Sequence, residues 1–250
     1  MKAFHYLNIA PIAPKDARRL VVENHYMKTY PSGARLNLGI FDIESGRAVG
    51  VMVFGYSTAT ESKVLKYCSN LKKTDYLEMQ RLWISDVYGA NSESYILAKA
   101  IKILKNHYKM KVIVTHSGGC KNDCGIVYQA SGWLYFGREV CRDFYLTEGG
   151  EYKNIIAAMR FGRVSVKGKT RDEIGAELFG PGEIIDSYRY LYLYPIDRGI
   201  RRRLQKQAQP YPKTSKQFRR NQAWVKPQQG DGSGERIEKF LGSSPSISTK

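Results

Sequence analysis

The residues of this chain that could do chemistry fall in a few separated places. His25 and Tyr26 are adjacent, with Tyr30 close by in HYMKTYPSG. A histidine beside a tyrosine in a loop can act as an acid/base or metal pair, although a lone loop histidine is more often a plain surface residue. His116, Cys120 and Cys124 form H-x3-C-x3-C, a spacing that could supply three ligands to zinc or iron. It matches no standard finger, and the plainer reading packs Cys124 on the following helix and leaves Cys120 in a turn. Arg81 precedes Trp83 in an apolar run. An inward arginine demands an anion or a carboxylate, and Glu78 or Asp86 could satisfy it structurally. Asn91, Ser92 and Ser94 stand where a helix begins, so they could cap an anion or simply the helix. Finally, Arg201, Arg202, Arg203, Lys206, Lys213, Lys216, Arg219 and Arg220 crowd a Tyr-rich stretch. They could track a phosphate backbone or form a solvated face.

These residues need elements to position them. The spacing of Ala17, Leu20, Val21 and Asn24 after Pro14 predicts a helix over 14–24. Alternation predicts strands over 34–43 and 47–55 around a hairpin turn at 44–46. A polar, Lys-rich segment, 56–75, reads as loose. A strand over 76–85, a helix over 92–108 and a buried strand over 111–116 follow. From Lys111 to Arg138 the pattern is strand, Gly-rich turn, short helix carrying Tyr128, Gly132-Trp133 turn, strand. The order describes an α/β fold with a mixed central sheet flanked by helices.

The chain has 250 residues, 42% hydrophobic and 12% aromatic, as expected of a folded protein. Lys and Arg outnumber Asp and Glu 40 to 23, giving a formal charge of +17. A polyanion partner such as duplex DNA is the natural expectation. No basic amphipathic helix with a clean apolar face is evident, nor any apolar run long enough for a membrane span. No export signal is read at the start. The four cysteines are therefore expected as reduced thiols in a cytoplasm. Basic density rises past Glu151. We expect a catalytic core over 1–150, a basic Tyr-rich DNA-contacting extension over 151–226 and a Gly/Ser/Pro-rich tail over 227–250.

The order of elements around Tyr128 is similar to the part of acyl-CoA-dependent N-acetyltransferase (GNAT-like) folds that closes the active site. There a tyrosine near the end of the last core helix faces the thioester. The pyrophosphate signature Arg/Gln-x-x-Gly-x-Gly/Ala of those folds is missing here; Gly89-Ala90 lies upstream without the spacing. A longer series of short motifs resembles the Mom DNA-modification family of phage Mu. It comprises His25-Tyr26 with Pro31-x-Gly33, Val49-Gly50-Val51 with Phe54-Gly55, Arg81-Leu82-Trp83-Ile84, Asn91-x-x-Ser94 and Gly125-Ile126-Val127-Tyr128-Gln129-Ala130.

The resemblance implies conversion of adenine in duplex DNA to N6-carbamoylmethyladenine, which shields phage DNA from host restriction. It implies acetyl-CoA and iron as possible cofactors. It puts functional roles on His25, Tyr26, Arg81, Ser94 and Tyr128, with Asn91 and Ser92 toward a cofactor. A flipped adenine would need aromatic faces, for which Tyr26, Tyr30 and Trp83 are candidates. One departure stands out. Where many relatives carry Ser-Tyr-Ala-Asp, this chain reads Thr115-His116-Ser117-Gly118, and Asp123 or His116 could compensate. Two other readings stay open: an N-acetyltransferase acting on a protein or small-molecule amine, and a non-catalytic DNA-binding protein.

Overall fold

The computed structural model describes residues 6–57, 60–119, 123–160 and 167–212. In chain order the elements are β1 (Leu7–Pro11), α1 (Pro14–Asn24), β2 (Ala34–Asp42), β3 (Ala48–Gly55), α2 (Thr60–Tyr67), β4 (Tyr76–Ile84), α3 (Ser92–Asn106), β5 (Val112–Gly119) and α4 (Ile126–Ala130). Then come β6 (Leu134–Thr147), β7 (Tyr152–Asn154), α5 (Ile155–Arg160), α6 (Arg171–Phe179), β8 (Gly182–Pro195) and α7 (Arg198–Gln205). The eight strands form one sheet in the order β1-β2-β3-β4-β5-β8-β6-β7. Of its neighbouring pairs β4 and β5 are parallel, and the rest are antiparallel. The mixed, helix-flanked sheet expected from the sequence is the one observed.

Burial explains the layers. Pro14 opens α1, whose Ala17, Leu20 and Val21 pack on Val51 and Val53 of β3. On the same face, Val64 of α2 and Ile200 and Leu204 of α7 join Tyr76, Val112, Val114, Leu191 and Leu193. On the other face, Ile96, Leu97, Ala100 and Leu104 of α3 and Tyr128 of α4 cover Met52, Phe54, Leu77, Met79 and Ile113. Helix α2 falls in the segment that reads as loose. Its burial rests on Thr60 and Val64 alone, too little for a helical stripe to show among lysines. The short edge strand β1 was likewise not foreseen.

The division expected at residue 150 runs through the sheet, because β8 lies between β5 and β6. Its tyrosines alternate as the sequence suggests, with Tyr190 and Tyr192 buried. No helix of the described residues is long and apolar enough to cross a membrane. Cys68, Cys124 and Cys141 are free, buried thiols.

One feature of this sheet creates the site. Parallel pairing of β4 with β5 runs from Tyr76↔Val112 to Met79↔Thr115 and stops. Beyond it β4 stays with β3 and β5 stays with β8. Against β3, Met79 and Arg81 face Phe54 and Val53, leaving Gln80 as an extra residue. Such a bulge bends its strand and re-aims side chains. Here it turns β4 away from β5 and opens a gap in mid-sheet.

Candidate active site

Arg81 stands on β4 just past the last β4–β5 pair, on the face covered by α1. Its half-buried guanidinium donates from Nε to the Thr29 carbonyl at 3.0 Å, from Nη2 to Thr29 Oγ1 at 3.2 Å and from Nη1 to the Gln80 carbonyl at 2.6 Å. Burial pulls its pKa down, and the nearby Tyr26 and Glu78 oppose that. Neither expected carboxylate partner takes the guanidinium; it ties the 25–31 loop to β4 instead.

Within that loop His25 is buried, and its Nδ1 accepts the Met27 N–H at 3.0 Å. The proton of the neutral ring is thereby placed on Nε2. Burial and the Arg81 charge push the His25 pKa down to about 3, so the ring is neutral at physiological pH. It stacks on Tyr26 with centroids 4.5 Å apart at 28°. Tyr26 is 59% exposed, yet close enough to both Arg81 and Tyr128 to act on their charges.

Tyr128 comes from the opposite face. Its ring packs 5.2 Å from Trp133 and 5.5 Å from Tyr192, and its hydroxyl meets that of Thr115. Burial raises its pKa strongly, so it is a neutral phenol with a proton to donate. His25, Tyr26, Arg81 and Tyr128 thus converge on the gap from elements far apart in sequence.

Beside them lies a network that motif reading found only in part. Glu78, on β4, is buried and accepts Thr60 Oγ1 at 2.6 Å. Its Oε1 lies 3.2 Å from His116 Nδ1, and His116 Nε2 lies 3.0 Å from Lys63 Nζ. Lys63 also donates to Glu139 at 2.5 Å. An ammonium has only protons to give, so Nε2 accepts and Nδ1–H donates to Glu78. Burial acts to raise the Glu78 pKa, but hydrogen bonds from His116 and Thr60 outweigh it and hold it near 2.

A pH dependence follows. Both His25 and Glu78 have folded pKa values below their ordinary ones of 6.5 and 4.5. Below those ordinary values the unfolded chain binds more protons than the native one. Stability present at neutral pH should fall from about pH 6.5 toward 3 through His25, and from about 4.5 toward 2 through Glu78. The loss is roughly 5 kcal/mol for His25 and roughly 3 kcal/mol for Glu78. Urea unfolding at stepped pH should show the first limb flattened in His25→Gln.

Helix α3 starts at Ser92 with Asn91 in a left-handed N-cap conformation (φ 71°) and no side-chain cap. The Ser92 hydroxyl donates to the Gly89 carbonyl at 2.8 Å and that of Ser94 to the Asn91 carbonyl at 3.0 Å. Both hydroxyls serve the turn, and Asn91 gives the helix no side-chain cap. Asn91 and Ser94 also line a groove of about 430 Å³ with Tyr95, Ala98, Ala130 and Tyr194, a lining without charge. Ser94 therefore belongs to this groove between α3 and α4, not to the cluster at the gap.

Other expected residues are placed differently. Tyr30 hydrogen-bonds Asn37 at 2.8 Å under the Arg18 guanidinium. Trp83 packs with it in the layer beneath α1. Both rings are partly buried there. Arg201 donates to the Pro195 carbonyl at 3.1 Å and lies over Tyr194. Arg202, Arg203 and Lys206 are exposed on α7. Lys213, Lys216, Arg219 and Arg220 lie outside the described residues.

The missing acidic residue has a physical cause. Gly118 has φ +118°, and a Cβ there would sit 1.9 Å from the Tyr188 carbonyl oxygen. Gly118→Asp should therefore destabilise the fold by roughly 3 kcal/mol or more instead of restoring a carboxylate, as a thermal melt would show. Asp123 accepts the Gly125 N–H at 3.0 Å and lies near enough to Tyr128 to help raise its pKa. A carboxylate thus reaches the site from the turn.

His25 and His116 do not fit an iron centre as they are held. Both nitrogens of His116 are engaged, and the acceptor nitrogen of His25 is taken by Met27. Cys120 lies outside the described residues. Among those described, no group of three His, Cys, Asp or Glu side chains is arranged to hold a metal ion.

The comparisons with known proteins follow this geometry. The family profile described as "Mom protein family" matches residues 6–213. The protein "Methylcarbamoylase mom" of Escherichia phage Mu is 29% identical over 216 residues, covering 83% of this chain and 84% of that one. Among solved structures, NAA60 of Arabidopsis thaliana in complex with acetyl-CoA aligns at TM-score 0.46 and 14% identity, over 76% of this chain and 99% of that one. Spermidine/spermine N-acetyltransferase SpeG of Vibrio cholerae aligns at TM-score 0.45 and 9% identity, over 80% and 98%.

Proposed function

The chain belongs to the Mom protein family, and from that premise we propose that it is a DNA-modifying transferase that converts adenine in duplex DNA to N6-carbamoylmethyladenine. The observation that carries the reading is the convergence of His25, Tyr26, Arg81 and Tyr128 on the β4–β5 gap, within a family match that runs from β1 past α7. The modified DNA would resist host restriction enzymes, which places the activity in the cytoplasm of an infected cell.

The chemistry sets the demands. The N6 lone pair of adenine is delocalised into the ring, and the amine sits inside a base stack. Extruding the base costs a few kcal/mol, and an aromatic face returns ~1–3 kcal/mol by stacking. Tyr26, exposed at the mouth of the gap and braced by His25, is the ring suited to that. Arg81 holds the loop that carries it. Transfer forms a bond from N6 to the methylene carbon of the carbamoylmethyl group, breaks that carbon's bond to its leaving group in the donor and releases one N6 proton. Tyr128, a neutral phenol on the far side, can donate a hydrogen bond to the donor as charge develops there.

An acyl-CoA donor suits the uncharged groove between α3 and α4. The first-turn amides of α3 beside Asn91 and Ser92 would hold its pyrophosphate. When bound, such a donor would supply an activated two-carbon acyl unit, and the amide nitrogen of the carbamoylmethyl group would have to come from a second, nitrogen-bearing co-substrate.

The test is nucleoside mass spectrometry on plasmid DNA co-expressed with the chain, with restriction digestion in parallel. A deoxyadenosine heavier by a carbamoylmethyl group, in DNA that resists cleavage, is the expected result. Unmodified deoxyadenosine alongside soluble, folded protein would overturn the proposal.

A further inference from the structure

We propose that His116 takes the proton that leaves adenine N6, acting as a general base oriented by the buried Glu78 carboxylate. The inference rests on the reading above that the chain modifies adenine, and it deepens it by naming an acceptor for that proton.

The register puts His116 in place. Parallel pairing of β4 with β5 ends at Met79↔Thr115. His116 is the next residue of β5, and Arg81 follows the bulged Gln80 on β4. Both belong to the face covered by α1 and α2. Arg81 is paired with Val53 beneath α1, and Glu78, bonded to Thr60 of α2, meets His116. Arg81 and His116 thus stand on the two strands that part, on one face of the gap. Glu78 links them, since it bonds His116 and acts on the Arg81 charge.

The other groups at the gap are unsuited to the task. Arg81 has only protons to give. Nδ1 of His25 accepts the Met27 N–H, and a pKa of about 3 makes that ring a weak base. Tyr128 is a neutral phenol on the opposite face. Asp123 lies on that opposite face too, where it accepts the Gly125 N–H and meets the Ser117 hydroxyl. The oxygens of Glu78 are taken by Thr60 and His116.

His116 is held differently. Its side chain is 15% exposed, so the ring is open to a substrate. Nδ1–H donates to Glu78 at 3.2 Å, which leaves the lone pair on Nε2. Lys63 Nζ donates to that lone pair at 3.0 Å, but it is also bonded to Glu139 at 2.5 Å. Lys63 therefore keeps a charged partner when Nε2 turns to the substrate.

A carboxylate behind an imidazole fixes its tautomer and stabilises the imidazolium. Hydrogen bonds from His116 and Thr60 keep Glu78 ionised for that role. In the step, the N6 lone pair forms a bond to the methylene carbon of the donor. The leaving group departs with the electron pair of its bond to that carbon, and the N6 proton moves to His116 Nε2. The imidazolium then returns the proton to solvent.

The experiment follows the carbamoylmethyl adduct by nucleoside mass spectrometry on plasmid DNA, at a fixed time after induction, in cells with equal amounts of soluble parent or variant. The purified proteins are melted and titrated with duplex DNA in parallel. His116→Asn keeps an N–H for Glu78 near the place of Nδ1 but has no base at the place of Nε2. It should cut the adduct by roughly 10²-fold or more with duplex affinity unchanged. Glu78→Gln keeps an acceptor for Nδ1–H but not the charge that steadies the imidazolium, and should cut the adduct by about tenfold or more. Lys63→Met breaks the other end of the hydrogen-bonded chain and lies outside the proposed step, so the adduct should stay at the parent level.

Parent-like adduct in either His116→Asn or Glu78→Gln would overturn the proposal. So would a Lys63→Met protein that falls as far as His116→Asn, because a mere strut from Glu78 to α2 fails when broken at either end. In these cases the parent still modifies adenine and the functional reading stands. A soluble parent that makes no adduct would overturn both.

Discussion

Replacing Arg81 with leucine is expected to abolish DNA modification and to lower stability by about 3 kcal/mol. The guanidinium is half-buried, and the Thr29 carbonyl, the Thr29 hydroxyl and the Gln80 carbonyl accept its protons. Leucine leaves both carbonyls without that donor and removes the tie between β4 and the 25–31 loop. An unpaired buried acceptor costs ~1–3 kcal/mol on its own. The loop carries His25 and Tyr26, so a loose loop disperses the cluster even in molecules that stay folded. Thermal unfolding and nucleoside mass spectrometry on the same preparation would measure both effects. Arg81→Lys keeps a charge but not the fork, and should restore part of the stability and little of the activity. An active, parent-stable Arg81→Leu protein would remove Arg81 from the site.

Tyr128→Phe is expected to separate chemistry from folding. The ring keeps its packing against Trp133 and Tyr192, so stability should change by no more than ~1 kcal/mol. Loss of a positioned proton donor should slow modification by roughly 10²- to 10⁴-fold. The neighbouring Tyr192→Phe is the contrast. That hydroxyl donates to the Cys124 carbonyl and accepts from Gln129 at 3.1 Å, so its loss should weaken the turn before α4 and lower the melting temperature. Equal activity of Tyr128→Phe and the parent, at equal protein level, would end the proton-donor role.

Much of the fold was legible because local spacing and burial agree. Pro14 and the Ala17, Leu20, Val21 stripe delimit α1, and alternation delimits β2, β3 and β4 within a residue or so. The failures have a common cause. Helix α2 and strand β1 bury too few residues to make a pattern. The seat of β8 between β5 and β6 depends on pairing between strands far apart in the sequence, which no local period encodes.

The site divides in the same way. His25-Tyr26, Arg81 and Tyr128 stand out as motifs, and the structure brings them together. Tyr30 and Trp83 pack, partly buried, against the α1 layer. Glu78 was visible as a carboxylate inside an apolar strand, but its bond to His116 follows from the parallel register of β4 and β5.

The seat of β8 has a consequence for how this protein comes into being. Until residues 182–195 have left the ribosome, β5 and β6 each present an unpaired edge, and the hydrogen bonds that join them through β8 cannot form. Nascent chains are therefore exposed to edge-to-edge association during synthesis of roughly the last stretch of the sheet. A copy interrupted before Gly182 would retain every residue of the catalytic cluster and still be unable to close the sheet that holds it.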